Sequence, residues 1–151
     1  MSQSFWMANH IANPLLRPLL RGRFGRRFGR RLAIVRYRGR RSGMDHELIV
    51  QYARDGDAVW ILPGTPERKT WWRNFREPSA ADLWLAGKHL EASAVAIDGA
   101  IEPEQVAHGL RAYLKTFPQA GKALHVSPDQ TAGGELSDAA RRTVMVRAVL
   151  R

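Results

Sequence analysis

The 151-residue sequence contains no cysteine, which excludes disulfide bonds, thiolate nucleophiles and thiolate metal ligands. It also has no apolar run near the roughly 20 residues that cross a bilayer as a helix. The five histidines are far apart and show no metal-ligand spacing, so we expect no metal site. The composition is 44% hydrophobic, which is typical of one folded domain with a substantial core.

Acidic residues are missing from the first 44 positions, which contain eleven arginines. The other 107 residues contain 13 basic and 14 acidic side chains, a net charge of −1, although the whole chain carries +10. The positive charge therefore belongs to an amino-terminal arm and to the arginines up to residue 41, and the remainder of the chain is nearly neutral. This distribution makes nucleic acid an unlikely partner, despite the high total charge.

Residues 1–31 are predicted to form a basic, partly apolar amino-terminal arm, and residues 32–151 the folded domain. Residues 5–20 are largely apolar, and residues 21–31 repeat arginine, glycine and phenylalanine. An apolar stretch followed by a polybasic run suits an anionic membrane surface, and the same composition also suits RNA or resembles a transit peptide. A secretory signal is disfavoured because the charges follow the apolar stretch. We expect a cytoplasmic protein, and peripheral association with a membrane through this arm stays open.

The folded part is predicted to be mainly β with one substantial helix (α+β). Alternating or apolar runs predict strands at residues 32–38, 48–53, 58–62, 81–85, 89–97 and 143–150. Residues 102–116 predict a helix opened by Pro103, with Val106, Leu110 and Tyr113 on its apolar face. Residues 118–135 are predicted to be a loop. Six antiparallel strands joined by hairpins, with one helix, indicate a small barrel.

The stretch Gly39-Arg40-Arg41-Ser42-Gly43 lies between the first two predicted strands, and we call it the arginine loop. Glycine permits the positive-φ turns that point successive N–H groups into one concavity, where anions bind. Arginine adds planar, two-pronged donors that match phosphate oxygens. The loop predicts a phosphate-binding turn, and the alternative is an ordinary hairpin turn with solvated arginines.

A second basic and aromatic stretch follows the third strand, at residues 68–75. Arg68 and Lys69 precede a predicted helical turn at residues 70–75 that contains Trp71 and Trp72. Free N–H groups at a helix start favour anions, and adjacent tryptophans point in different directions. The stretch suits a ligand with a flat ring and a phosphate tail, and the alternative is a core helix with a charged entry.

In this order, the arginine loop, the turn Asp55-Gly56-Asp57 and the run Trp71-Trp72-Arg73-Asn74-Phe75 resemble the deazaflavin-dependent nitroreductase family. The resemblance covers about residues 32–97. It implies a split β-barrel of the FMN-binding type that binds coenzyme F-420, a deazaflavin with a phosphodiester and an oligoglutamate tail. It also implies transfer of hydride from the reduced coenzyme to a small acceptor such as a quinone, a nitro compound or an enone.

The resemblance assigns cofactor-binding residues by position. Arg40, Arg41, Ser42 and Gly43 match its phosphate-binding loop, and Trp71, Trp72 and Asn74 match the segment near the deazaflavin ring. Gly64 lies in the loop that carries two glycines in the family, and Arg68 and Lys69 supply its positive charge. His46 stands where the family commonly has an arginine.

Other interpretations stay open from the sequence. One is an FMN-binding relative with the same barrel, and another is a non-catalytic module that binds a cofactor, a membrane or nucleic acid. Hydride transfer needs little acid–base apparatus, and Tyr52 and Tyr113 are candidate proton donors by residue type only. Split barrels frequently dimerise, so a homodimer is a further expectation.

Overall fold

The computed structural model of this chain describes residues 31–64, 70–130 and 133–151. The amino-terminal arm, except for its last residue, lies outside these ranges, and so do Arg68 and Lys69. Among the described residues, no helix combines the length and the apolar character that crossing a bilayer requires.

Six strands in the described residues close into one antiparallel barrel. The strands are β1 (Leu32–Arg38), β2 (Asp45–Asp55), β3 (Ala58–Ile61), β4 (Ser79–Leu85), β5 (Lys88–Asp98) and β6 (Val144–Leu150). They follow the order β1-β2-β3-β6-β5-β4, and β1 closes the barrel by pairing with both β2 and β4. This architecture confirms the predicted fold class. β2 is longer than expected, because its pairing with β1 extends to Arg38 and Asp45 beside the arginine loop.

The period-two alternation of the strands separates the barrel interior from its outer surface. Ala33, Val35 and Tyr37 of β1 belong to the interior core, whereas Ile34 packs in a separate cluster and Arg36 is half-buried. The same interior core includes Val50, Tyr52, Val59, Ile61, Phe75, Leu83 and Val146. Each large apolar side chain buried in this way contributes about 1.5–3 kcal/mol, so the register of β1 is strongly fixed.

Helix α1 (Pro103–Thr116) covers the barrel surface formed by β2, β3, β5 and β6. It approaches the barrel closely at Gly109, where an added Cβ would lie 2.3 Å from a ring carbon of Trp60. A glycine is needed there because of this contact and not because of its backbone dihedrals. Val106, Leu110 and Tyr113 are buried beneath the helix, as their spacing predicts.

The prediction of a loop at residues 118–135 is wrong. This region contains α2 (Ala120–Leu124), a 3₁₀ helix (Pro128–Gln130) and the start of α3 (Gly134–Arg141). Glycine and proline weaken the helical pattern of the sequence here. Burial of Leu136, Ala139 and Ala140 against the core beneath α1 stabilises α3 nevertheless, because tertiary packing outweighs intrinsic propensity.

Candidate functional site

The arginine loop is a tight, internally hydrogen-bonded connection between β1 and β2. The N–H of Gly43 donates to the carbonyl of Gly39 (2.9 Å), and the N–H of Gly39 donates to the carbonyl of Met44 (2.8 Å). Gly43 has φ +68°, a conformation that glycine adopts without a steric cost. The loop holds Arg40 and Arg41 exposed at its tip.

Gly39 has a different role from the one its sequence position predicts. It is buried and does not adopt a positive φ. A Cβ at this position would lie 2.6 Å from Ser42 Oγ and 2.9 Å from His46 Nε2. Glycine is needed here because two polar side chains close over its Cα.

A short 3₁₀ helix, Trp71–Phe75, faces the arginine loop, and we call it the cleft helix. Asn74 joins the two elements through both ends of its amide. Its Oδ1 accepts the N–H of Arg40 (2.9 Å), and its Nδ2 donates to the carbonyl of Trp71 (2.8 Å). Asn74 therefore fixes the distance between the loop and the helix.

A cleft of about 650 Å³ lies between the arginine loop and the cleft helix, and we call it the basic cleft. Four of the residues that line it are arginines. Glu77 lies beside the cleft, with its Oε2 3.8 Å from Arg40 Nη2. A cleft with this charge favours an anionic ligand. Its lining consists of Gly39, Arg40, Arg41, Ser42, His46, Thr70, Arg73, Asn74 and Arg76.

The two tryptophans of the cleft helix make different contacts, and only Trp72 lies against the arginines of the basic cleft. The guanidinium carbons of Arg73 and Arg76 lie 5.7 Å and 5.6 Å from the centre of the Trp72 ring, within the range of a cation–π attraction. Trp71 packs near Tyr37 and Phe75, with ring centres 6.4 Å and 6.1 Å away. Both tryptophans are half-buried, and neither lines the basic cleft.

His46 and Ser42 form a polar pair in the lining of the basic cleft. Ser42 Oγ is 3.3 Å from His46 Nε2 and also accepts the N–H of Met44 (3.1 Å). The His46 ring stacks on Tyr37 with a centroid distance of 5.5 Å. Burial raises the pKa of Tyr37, so this phenol stays neutral beneath the imidazole.

The structure brings together four of the cofactor-binding residues that the sequence predicts, namely Arg40, Arg41, Ser42 and Asn74. Gly43 shapes the loop without lining the cleft. Gly64 is exposed with φ +91°.

The candidate proton donors lie away from the basic cleft. Tyr52 and Tyr113 are buried and do not line it. Burial raises the pKa of Tyr113 to about 12, and its hydroxyl donates to Gln51 Oε1 at 3.4 Å. Burial also raises the pKa of Tyr52, against the opposing charge of Arg54.

The sequence predicts no ligand contact for Arg73, Arg76 or Thr70, although all three line the basic cleft. The available signal was the pair of arginines that follow Trp72 by one and four residues. His46 was noted only as a departure from a pattern, and the structure places it in the lining. In the part of the chain that the structure describes, no cluster of histidine and carboxylate residues is arranged to hold a metal ion.

No protein-family model matches this chain, and no curated protein sequence matches it. Solved structures match its fold. One is described as an F420-H2 dependent reductase (FDR-A); it is 14% identical with a TM-score of 0.54, over 80% of this chain and 94% of that one. Another, described as a domain-swapped dimer, is 16% identical with a TM-score of 0.55, over 80% of each chain. At these identities the likeness defines the fold, which is a split β-barrel.

Proposed function

We propose that this protein is an oxidoreductase that uses coenzyme F-420 to reduce a small organic acceptor of the quinone, nitro or enone class. The observation that carries the proposal is the basic cleft, where the arginine loop and the cleft helix place four guanidinium groups around one cavity. The split-barrel fold, shared with a protein described as an F420-H2 dependent reductase, supports the same proposal.

The donor set of the basic cleft fits the tail of this coenzyme. A phosphodiester and a chain of carboxylates present anionic oxygens, which the guanidinium groups of Arg40, Arg41, Arg73 and Arg76 are suited to bind in pairs. The cleft volume of about 650 Å³ lies in the range of roughly 300–1,000 Å³ that small-ligand sites occupy.

The basic cleft alone does not supply enough free energy for tight binding. Charge-assisted hydrogen bonds contribute about 1.5–3 kcal/mol each, so three give roughly 5–8 kcal/mol before the cost of ordering the side chains. Micromolar affinity needs about 8 kcal/mol net. Burial of a flat ring must supply the remainder. We propose that the ring packs on Trp71 or Trp72, which are half-buried in the cleft helix and do not themselves line the basic cleft.

When bound, the reduced deazaflavin supplies the hydride that the acceptor receives. The residues of the chain hold the anionic tail, fix the orientation of the ring through the tail, and limit access of water. Tyr113 is a weak acid with a pKa of about 12 and lies outside the basic cleft. We therefore propose that the proton that completes the reduction comes from solvent and not from this phenol.

FMN is the alternative cofactor, because its terminal phosphate also suits the arginines of the basic cleft. A direct test is a titration of the purified protein with coenzyme F-420, with FMN and with a random oligonucleotide at moderate salt. Micromolar binding of F-420 with weaker binding of FMN supports the proposal. Tighter binding of FMN would transfer the assignment to FMN, and binding of the oligonucleotide alone would identify a non-catalytic module.

Association of residues 1–30 with an anionic membrane stays a prediction from the sequence. Removal of these residues should abolish flotation with anionic liposomes and spare most cofactor binding. If the truncated protein floats as well as the full chain, the arm is not the anchor. A homodimer likewise stays a prediction, and sedimentation at micromolar concentration tests it.

A further inference from the structure

Ser42 and His46 are in hydrogen-bond contact at the edge of the arginine loop, and several neighbouring groups hold them there. Ser42 Oγ is 3.3 Å from His46 Nε2 and 3.1 Å from the N–H of Met44. The pair lies over Gly39, where any side chain would collide with both polar atoms. The His46 ring is stacked on the buried Tyr37. The loop, the strand and the missing Cβ together maintain this contact.

Whether His46 Nε2 carries a hydrogen determines whether the Ser42 hydroxyl can donate a hydrogen bond to a ligand. A hydroxyl has one hydrogen to donate and two lone pairs that accept, and the N–H of Met44 uses one of these lone pairs. When Nε2 has no hydrogen, the Ser42 hydroxyl donates to it and has no donor left for an anion. When Nε2 carries a hydrogen, it donates to the second lone pair, and the hydroxyl hydrogen is free to point into the cleft.

We propose that binding of an anion in the basic cleft is coupled to protonation of the His46 ring. His46 and Ser42 then form a part of the anion site that depends on pH. The inference rests on the proposed function only for the identity of the anion, which there is the phosphate of the cofactor. A protonated His46 adds one positive charge to the lining. Where the neutral ring carries its hydrogen on Nδ1, protonation at Nε2 also releases the hydroxyl of Ser42 as a donor.

The charges around His46 favour this coupling. Arg40 and Arg41 of the loop, Arg73 of the cleft helix and Arg76 directly after it line the same cleft. A bound anion offsets these four charges, so one more positive charge at His46 is more favourable when the anion is present. Binding and protonation therefore strengthen each other, as linkage requires.

The acidic and phenolic groups near His46 do not provide its counter-charge. Asp45 Oδ1 is 3.7 Å from Arg38 Nε, and Glu77 is paired with Arg40. Glu47 follows His46 in β2 and so lies on the opposite face of the strand, beside Arg36. Tyr37 is neutral, since burial raises its pKa. Within the described ranges, no ion pair joins His46 to a carboxylate.

The expected consequence is anion binding that strengthens as the pH falls through the range where imidazoles titrate, about pH 8 to about pH 5.5. One added charge and one released donor should tighten binding by roughly tenfold over that range. Sulfate is the appropriate probe, because it keeps a constant charge over this range, whereas inorganic phosphate does not.

The experiment is an NMR titration of the full chain with sulfate at both ends of this pH range. In the wild type we expect the sulfate dissociation constant to fall about tenfold on acidification. His46→Gln should remove most of this pH dependence, and His46→Arg should bind sulfate equally well at both pH values. The matched control is His89→Gln: His89 pairs with Asp82 at 2.8 Å and does not line the cleft, so this variant should keep the pH dependence of the wild type.

A second measurement does not depend on any variant. The titration midpoint of the His46 imidazole should rise when sulfate saturates the wild-type protein. An unchanged midpoint, or a His46→Gln variant with the full pH dependence, overturns the inference. Sulfate binding with this pH dependence but no binding of F-420 would refute the proposed function alone, and binding of F-420 with an unchanged midpoint would refute only the coupling.

Discussion

Replacement of Asn74 by alanine tests whether the two walls of the basic cleft act as one unit. The side-chain amide accepts the N–H of Arg40 at 2.9 Å and donates to the carbonyl of Trp71 at 2.8 Å. Each such hydrogen bond contributes about 0.5–1.5 kcal/mol net, and water can replace the exposed contact with Arg40. We expect Asn74→Ala to lower the free energy of unfolding by about 1–2 kcal/mol and to leave the barrel intact.

The effect of Asn74→Ala on binding should exceed its effect on stability. Without the amide, the arginine loop loses its direct hydrogen bond to the cleft helix, so we expect a ligand to order the loop as it binds. Ordering costs about 0.5–1.5 kcal/mol for each long side chain. For Arg40 and Arg41 together, this corresponds to an affinity lower by roughly fivefold to a hundredfold.

The assay is a fluorescence titration with coenzyme F-420, accompanied by urea denaturation of the same sample. The matched control is Gln105→Ala, which also removes two side-chain hydrogen bonds, one to Glu102 and one from Arg147, both at 2.7 Å. Gln105 belongs to α1 and does not line the cleft, so this variant should lose similar stability and keep its affinity. Wild-type affinity in Asn74→Ala, or an equal loss in Gln105→Ala, would refute the reasoning.

Three further predictions concern the loop, the packing of α1 and a buried phenol. Arg40→Ala combined with Arg41→Ala should abolish detectable F-420 binding and leave the thermal midpoint nearly unchanged, because both side chains are exposed; unaltered affinity in a calorimetric titration would contradict this. Gly109→Ala should lower unfolding stability by about 1–3 kcal/mol, because its Cβ would meet the Trp60 ring at 2.3 Å, and a melting curve like that of the wild type would show that α1 moves freely. Burial raises the pKa of Tyr113 to about 12, whereas a tyrosine in the unfolded chain has a pKa of about 10. The contribution of the neutral phenol to folding stability is therefore fully present below about pH 10 and is lost as the pH rises through the pKa of the folded protein. Urea denaturation of Tyr113→Phe should show a smaller loss of stability over that range, and an equal loss would show that Tyr113 is not responsible.

The barrel could be predicted from the sequence because alternation fixes which residues of each strand face inward. The run at residues 32–38 predicted β1 with its observed bounds, and the turn at residues 54–57 predicted the link from β2 to β3, with Gly56 at φ +63°. Helix α2 and the start of α3 could not be predicted, since their stability comes from packing against the core beneath α1. Local helix propensity contains no information about burial against residues that are distant in the sequence.

The candidate site was partly predictable for a similar reason. Local chemistry identified Arg40, Arg41 and Ser42, because glycines on both sides indicate a turn. The sequence could not show that Arg73 and Arg76 stack on Trp72 and so face the same cavity. That these arginines face the same cavity as Arg40 depends on the position of the cleft helix opposite the arginine loop, where Asn74 joins the two across 34 residues of sequence.

The central claim is that the basic cleft holds the anionic tail of a deazaflavin coenzyme. The most direct measurement compares the dissociation constant of coenzyme F-420 with that of the same deazaflavin without its phosphate and glutamates. Since three charge-assisted contacts supply roughly 5–8 kcal/mol before ordering costs, we predict that the tail-free compound binds at least about a hundredfold more weakly. Equal affinities for the two compounds would contradict the assignment of the basic cleft.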